Sequence, residues 1–313
     1  MPSVLKGHSR TLAQAYVSFL ELEPDVGCRP RRSVSYDRGR SGVSGPNQQT
    51  REIEAALVGH WSHLGLWAAG ALVDMGGVLR YETPIPHLPY NGVLRTAITE
   101  RDPGEAVNAV VESFQRRGVP FIWWEHPSCT PQDLGSHLER NGLTAVERVT
   151  GMAIDLDDWN ETKPRDDVRF VEVLDSKAME AYEDLIVRYW ELPPESQAMV
   201  ASLNRFWGPG QLPAHRWVAY IDDRPVGKAL LSLAAPKGVA AIYGMSVTPE
   251  ARGRGIAGDL TTTLLKRAKV LGCQRVVLHS SEIAVNVYRR AGFIDRCSMT
   301  VFATAPLWSG AHN

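Results

Sequence analysis

The segment MSVTPEARGRGIAGDL, at 245–260, has the residue types of an anion-binding turn. Its pattern predicts a strand, a short turn and a helix in direct succession. Gly253 and Gly255 let backbone N–H groups converge on one point, and the first turn of a helix adds unpaired donors and partial positive charge. Arg252 and Arg254 place mobile positive charge beside them. The segment therefore predicts a cradle for a phosphate group.

Two common phosphate ligands are disfavoured by the residues after the turn. A nucleoside triphosphate loop needs Lys and then Ser or Thr after its final glycine, and Ala-Gly-Asp stands at 257–259 instead. The three glycines of 253–258 do spell the G-x-G-x-x-G of a dinucleotide site. That site expects an acidic residue roughly 20 positions onward to hold a ribose, and none stands between Asp259 and Glu282. The several strands predicted before the turn also disagree with a first strand-helix unit.

With this turn, the chain from about 166 to 303 resembles the GNAT superfamily of acyl-CoA-dependent N-acetyltransferases. The family's pyrophosphate motif is Arg or Gln, two residues, Gly, one residue, then Gly or Ala, and Arg252, Gly255 and Ala257 match it. The family also has a short helix ending in Y-x-x-x-G-F, matched by SSEIAVNVYRRAGF at 280–293. The resemblance implies an α/β fold with a mixed sheet, the GNAT fold, and acetyl-CoA or another acyl-CoA as co-substrate, with no metal.

The resemblance also implies which residues hold the cofactor. The turn would bind the CoA pyrophosphate, and the end of the preceding strand would offer backbone groups to the pantetheine arm. The cofactor-binding residues predicted in this way are Met245, Val247, Arg252, Gly253, Arg254, Gly255, Ile256, Ala257 and Ser281. Many members carry Asn at the position of Ser281, so this serine either contacts the cofactor or caps the next helix.

Tyr288 is the predicted catalytic residue, because the resemblance implies that it lies near the thioester sulfur. Its phenol would protonate the thiolate that leaves CoA. The alternative is a core tyrosine in the apolar stripe of that helix. The general base is left open between water and four side chains, Tyr243, His279, Glu282 and Glu191.

The acceptor site in this fold is shaped by the segment after the first strand of the domain, here 187–213. Trp190, Phe206 and Trp207 are either an aromatic pocket wall or packing residues. The predicted reaction is direct transfer to a small-molecule or peptide amine in a ternary complex. The alternatives are a hydroxyl acceptor, decarboxylation of an acyl-CoA, or a CoA-binding module without turnover. His60 and His63 have helical spacing but no third ligand, which favours a solvated or core pair over a metal site.

The first half of the chain faintly repeats the second. Aligning Gly142 with Gly292 superposes the order of predicted elements and puts Leu138 at the position of Tyr288. Duplication or chance explains this similarity. A copy of the cradle spacing stands at Arg101, Gly104 and Ala106, but Pro103 removes a donor and Glu105 would repel a pyrophosphate. The first half is therefore predicted to be a GNAT-like domain without a cofactor site.

Length and composition indicate the number of domains, the class of partner and the cellular location. The 313 residues suggest two domains, and 34 Lys and Arg against 35 Asp and Glu give a net charge of −1 that does not favour nucleic acid or an anionic membrane. Four scattered cysteines, with no C-x-x-C spacing, favour a reducing cytoplasm over a disulfide framework or zinc site. The longest apolar stretch, 65–73, is far below the ~18 residues of a membrane helix. We expect a cytoplasmic monomer or homodimer.

The elements that must position these residues follow from hydrophobic period and turn signals. Residues 1–50 are predicted to be an N-terminal helix, at 11–22, and a flexible linker, at 28–50. Residues 51–160 would form the degenerate domain, beginning with a helix over 52–73, and 166–305 the catalytic domain. In the latter the pattern predicts a strand, two helices, three strands, a helix, a strand, a short helix and a last strand. Together these make a mixed sheet with helices on both faces, in a tandem of two GNAT-like domains.

Overall fold

Eleven strands form one continuous mixed sheet in the computed structural model, which describes residues 46–99, 102–208 and 210–304. The strands are β1 (Ala71–Met75), β2 (Val78–Glu82), β3 (Gly92–Thr96), β4 (Ile122–Glu125), β5 (Thr144–Asp155), β6 (Arg169–Glu172), β7 (Ala214–Ile221), β8 (Arg224–Ser232), β9 (Val239–Val247), β10 (Arg275–Ser281) and β11 (Ile294–Ala303). The described helices are α1 (Gln48–Gly65), α2 (Pro103–Arg117), α3 (Leu134–Arg140), α4 (Ser176–Trp190), α5 (Pro194–Phe206), α6 (Ile256–Val270) and α7 (Val285–Arg290).

The two halves of the chain exchange strands at the centre of this sheet. The strand order is β1-β2-β3-β4-β11-β5-β10-β9-β8-β7-β6. The last strand of the first half, β5, therefore lies between β10 and β11 of the second half, and β11 lies between β4 and β5 of the first. The β5–β11 ladder is antiparallel. Neither half completes its own sheet without the other's last strand.

The β5–β11 ladder has an internal two-fold symmetry. Its end pairs are Ile294 with Ala153 and Thr144 with Ala303, and Val149 pairs with Met299 at the centre. The residues of the first end pair are matched to those of the second by the same sequence shift that relates Gly142 to Gly292. The predicted tandem fold is confirmed by this register.

The aligned glycines also have the same local structure. Gly142 and Gly292 have φ of 84° and 100°, a left-handed conformation in which each ends a short helix. The amide of the next residue donates to the carbonyl of Leu138 in the first half, at 3.1 Å, and of Tyr288 in the second, at 3.0 Å. Leu138 and Tyr288 are therefore structurally equivalent, as the alignment predicted.

Helix α1 packs across both halves and is fixed to each by buried polar contacts. Glu54 accepts a hydrogen bond from the amide of Ser128 at 3.0 Å and lies 3.1 Å from Nδ1 of His126, in the turn after β4. Glu52 accepts from Arg275 of β10 at 2.6 Å. Helices α1, α4 and α5 cover one face of the second half's sheet, and α6 and α7 cover the opposite face.

Two predictions about the first half are corrected. The helix predicted over 52–73 ends at Gly65, and β1 begins at Ala71. The chain turns back closely here, since a Cβ on Gly65 would lie 2.7 Å from the Ala71 carbonyl oxygen. The last residues of the predicted 28–50 linker are the first turn of α1, capped by Asn47, which accepts from the Thr50 amide. The predicted helix at 11–22 and the rest of the linker lie outside the described residues.

The elements predicted for the second half are confirmed, from β6 through β11. The predicted boundary at 161–167 falls in a segment without helix or strand. The division into domains 51–160 and 166–305 stays a prediction, because the halves share one sheet. Among the described helices, none has the length and apolar character needed to span a bilayer.

Candidate functional site

Strands β9 and β10 separate at their carboxyl ends and leave a gap in the sheet. Their parallel ladder joins Val239–Ile242 to Arg275–Leu278 and stops there. Beyond it, a bulge at Gly244, with φ of 58°, shifts the register of β9 against β8. The last residues of β10 remain paired with β5 on its other side. The end of β9 therefore keeps backbone groups free of β10, and the gap opens between them.

A single cleft of about 1190 Å³ is lined by residues from both faces of the sheet at this gap. The predicted site residues that line it are Met245, Val247, Arg252, Gly253, Gly255, Ile256, Ala257, Ser281 and Tyr288. The cleft continues among the side chains of α1, α4 and α5 on the opposite face. The structure therefore brings the predicted cofactor turn, the predicted catalytic tyrosine and a second chamber into one continuous space.

The glycine turn has the shape expected of an anion cradle. Gly253 and Gly255 have φ of 73° and 82°, and a Cβ built on either would meet nothing within 4 Å. Gly255 is the N-cap of α6, and no side chain caps this helix. The first amides of α6 are thus available to an oxyanion, which the positive end of the helix favours. The residues present fit a CoA pyrophosphate.

Arg254 departs from its predicted place. It does not line the cleft; its carbonyl accepts from Arg165, and its guanidinium lies 3.8 Å from the carboxylate of Asp167. The opposite charge of Asp167 draws the side chain away from the turn. Arg252 remains in the cleft wall, where its Nε donates to the Val247 carbonyl at 3.3 Å.

The equivalent turn of the first half already holds an anion of its own. Helix α2, which precedes β4 as α6 precedes β10, is capped by Asp102. The Asp102 carboxylate accepts from the amides of Gly104, at 3.0 Å, and Glu105, at 3.3 Å. Sequence reasoning missed Asp102, although Asp directly before a proline is a readable helix-start signal. Arg101 lies outside the described residues.

Tyr288 is buried on α7, beside the cleft, with 5% of its surface exposed. Burial raises the pKa of its phenol well above the ordinary value, and the neighbouring Tyr189 raises it further. Phe293 packs edge-on against its ring at 5.9 Å. The hydroxyl is therefore a proton donor that stays protonated at neutral pH.

Ser281 ends β10 and lines the cleft. The predicted alternative, that its side chain caps the following helix, is wrong: the N-cap of α7 is Ala284, and no side chain caps this helix. The Ser281 carbonyl accepts from the Ala284 amide, at 3.2 Å, and from the Ser280 hydroxyl, at 2.9 Å.

The four candidate bases separate into two groups. Tyr243 and His279 line the cleft, whereas Glu282 and Glu191 are exposed and do not. Both ring nitrogens of His279 are buried without a hydrogen-bond partner among the described residues. Burial, and then the charge of His126, lowers the pKa of His279 to about 3. His279 is consequently a weak base.

A ring of five aromatic side chains forms part of the chamber on the α1 face. Neighbouring ring centroids are 3.8 to 6.5 Å apart around the cycle His60, Trp61, Trp124, His279, Tyr243. Sequence reasoning missed the members from α1 and β4. Of the predicted wall residues, Trp190 lines the cleft, and Trp207 is a packing residue whose indole donates to the His63 carbonyl at 3.1 Å. No three His, Cys, Asp or Glu side chains within the described ranges are grouped to hold a metal.

Two buried cations, Arg216 and Lys228, also line the cleft and were missed by sequence reasoning. They are 6% and 2% exposed. The Lys228 ammonium donates to the carbonyl of Gly244 at 2.8 Å, at the bulge itself. Burial lowers the pKa of Lys228 to about 7. In the sequence, both residues resemble ordinary polar positions of strands in which apolar and polar residues alternate.

Residues 179–293 match the model of the acetyltransferase (GNAT) family. No curated protein matches the sequence. A GCN5-related N-acetyltransferase from Kribbella flavida superposes with a TM-score of 0.61 at 16% identity, covering 80% of this chain and 95% of that one.

Two further structures have the same fold. A GCN5-related N-acetyltransferase from Sphaerobacter thermophilus has a TM-score of 0.55 at 18% identity, covering 81% of this chain and 90% of that one. A tandem GNAT protein from the clavulanic acid biosynthesis pathway has a TM-score of 0.53 at 14% identity, with coverages of 83% and 95%. At these identities the likeness concerns the fold.

Proposed function

Because residues 179–293 match the acetyltransferase (GNAT) family, we propose that this chain transfers an acetyl group from acetyl-CoA to an amine. The observation that carries the proposal is the cleft. It joins an uncapped helix start, at Gly255, to the buried hydroxyl of Tyr288, and the gap between β9 and β10 connects this space to the chamber on the α1 face. Transfer would occur directly, with both substrates bound at once, because the two chambers meet at that gap.

The second half would hold the only acetyl-CoA of the chain. The amides from Gly253 to Ala257 and the side chain of Arg252 would bind the pyrophosphate. Backbone groups of Met245 and Val247, which β10 leaves unpaired, would bind the pantetheine arm. Acetyl-CoA supplies an activated thioester carbonyl. In the first half, the Asp102 carboxylate occupies the equivalent helix start and would repel a second pyrophosphate.

Tyr288 would act as the general acid. During transfer a C–N bond forms between the acetyl carbon and the acceptor nitrogen, and the C–S bond breaks. The Tyr288 hydroxyl would donate its proton to the sulfur, and the acceptor nitrogen would lose one to water. Like an ordinary tyrosine, Tyr288 carries its proton at neutral pH, so it can serve as a donor and not as a base.

The proposal is tested by calorimetric titration of the full chain with acetyl-CoA, followed by a thiol-release assay against a panel of amines. We expect one acetyl-CoA per chain, displaced by CoA, and amine-dependent thiol release. Mass spectrometry of the product places the acetyl group on nitrogen or oxygen. A folded chain that does not bind acetyl-CoA would refute the proposal.

A further inference from the structure

The buried residues Arg216 and Lys228 lie on neighbouring strands, on the face of the sheet that α1, α4 and α5 cover. In the β7–β8 ladder, Arg216 is opposite Leu230 and Lys228 is opposite Val218. The two residues are therefore diagonal neighbours, and the usual geometry of such pairs places their Cα atoms about 7–8 Å apart. The ring of Tyr182 lies below both, with its centroid 6.0 Å from the guanidinium carbon and 5.4 Å from the ammonium nitrogen.

Neither cation has a carboxylate partner within the described part of the chain. Lys228 donates to a carbonyl, and Arg216 has ring and longer-range electrostatic contacts but no ion pair. Glu183 is the acid whose charge reaches Arg216, and it too forms no ion pair with it. Burying a guanidinium and an ammonium group on one face is costly, and burial lowers the pKa of Lys228 for that reason. A bound anion would offset the cost and favour the charged form of Lys228. Both residues line the cleft, where a bound molecule can supply that anion.

The cation pair is adjacent to the proposed reacting centre. The Lys228 nitrogen is 5.4 Å from the ring centroid of Tyr189, and Tyr189 is near enough to Tyr288 to raise the pKa of its phenol. The Lys228 contact with Gly244 lies at the bulge that opens the gap between β9 and β10. An anionic group held by this pair would therefore lie close to the gap and to Tyr189, the neighbour of Tyr288.

The five-ring chamber lines the same cleft on the same face. Its members come from α1, β4, β9 and β10, and two of them are tryptophans. Flat aromatic walls favour an apolar or aromatic group. The cleft thus presents a cation pair near the reacting centre and an aromatic chamber beyond it.

We propose that the acceptor is an α-amino carboxylate with an aromatic or apolar side chain, whose carboxylate is bound by Arg216 and Lys228. This inference rests on the proposed acetyl transfer. In an α-amino acid the carboxylate and the amine are attached to one carbon, which matches the closeness of the cation pair to Tyr288. The planar guanidinium of Arg216 suits a carboxylate, which it binds through two parallel hydrogen bonds.

The carboxylate site can be tested without acyl transfer. Calorimetry compares 3-phenylpropionate, which cannot be acetylated, with the neutral 3-phenylpropanamide, each with and without saturating CoA. We expect the carboxylate to bind about 10–100-fold more tightly than the amide in at least one condition, the range of a charge-assisted hydrogen bond. Equal affinity of the two probes in both conditions would overturn the inference.

Variants show which residue causes the preference for the carboxylate probe over the amide probe. Arg216→Met should remove the difference between the probes, Arg216→Lys should reduce it, and Arg224→Met, which removes an exposed arginine from the same sheet, should leave it unchanged. Thermal unfolding checks that each variant is folded. A folded Arg216→Met variant that retains the preference would place the anion site elsewhere and overturn the inference.

Turnover then tests the acceptor class. With acetyl-CoA, kcat/KM for L-phenylalanine should exceed that for L-phenylalaninamide and 2-phenylethylamine by at least about tenfold. A preference for 2-phenylethylamine would overturn the inference while leaving acetyl transfer supported. Conversely, failure of acetyl-CoA to bind would refute the proposed function. The titration with 3-phenylpropionate would still show whether the cleft has a carboxylate site.

Discussion

Replacing Gly255 with Asp is expected to remove acetyl-CoA binding while preserving the fold. A Cβ at this position meets no atom within 4 Å, so the cost to stability comes from the backbone, whose φ is 82°. An L-residue in the left-handed region costs roughly 1–2 kcal/mol, and less for Asp or Asn. Relative to Gly, Asp at an N-cap returns only a few tenths of a kcal/mol. The free energy of unfolding should therefore change by no more than about 1 kcal/mol.

The expected loss in the free energy of acetyl-CoA binding is much larger than this change in the free energy of unfolding. The new carboxylate would occupy the start of α6 as Asp102 occupies the start of α2. It would block amides whose hydrogen bonds to a charged phosphate contribute about 1.5–3 kcal/mol each, and its own charge opposes the pyrophosphate. A loss of about 3–4 kcal/mol corresponds to a roughly 100–1000-fold weaker affinity.

Calorimetry with acetyl-CoA and thermal unfolding on the same samples measure both quantities. Gly255→Asn has nearly the same shape without the charge and should lose only part of the affinity. Gly272→Asn is the matched control, because Gly272 has φ of 77°, has nothing within 4 Å of its Cβ, and follows the other end of α6. Undiminished affinity in a folded Gly255→Asp variant would refute the cradle, as would an equal loss in Gly272→Asn.

Three other predictions follow from the same structure. Tyr288→Phe should lower kcat by ~10²–10⁴-fold with little change in acetyl-CoA affinity. Because the pKa of the phenol is raised, Tyr288 should cause no loss of wild-type activity below pH ~10. Near-native single-turnover rates in the variant would exclude Tyr288 as the general acid. Equilibrium dialysis should find one acetyl-CoA per chain, and two sites would contradict the reading of Asp102 as a blocking cap. The pKa of Lys228 is lowered by burial to about 7, so between pH ~7 and ~10 the unfolded chain binds its proton more tightly. The free energy of unfolding should rise with pH through that window by up to a few kcal/mol, and Lys228→Met should lack this rise. An equal pH dependence in the two proteins would show that the pKa of Lys228 is not lowered.

Local signals in the sequence were enough to predict the cradle and the elements of the second half. The turn at Gly253 and Gly255 joins a strand directly to a helix, so every group that shapes it lies within one short stretch of chain. The same holds for the helix end at Gly292, whose left-handed conformation repeats at Gly142. Because these structures are made by neighbours in sequence, spacing and residue type determine them.

The exchange of β5 and β11, and the chamber that depends on it, were decided by the tertiary structure. An alternating strand such as β5 has the same sequence pattern whether it pairs within its own half or enters the other sheet, because pairing partners are far away in the chain. The same distance hides the five-ring chamber, whose members come from α1, β4, β9 and β10. Arg216 and Lys228 lie under α4, which packs over their face of the sheet, and this long-range packing buries the two strand residues that the proposed acceptor site uses.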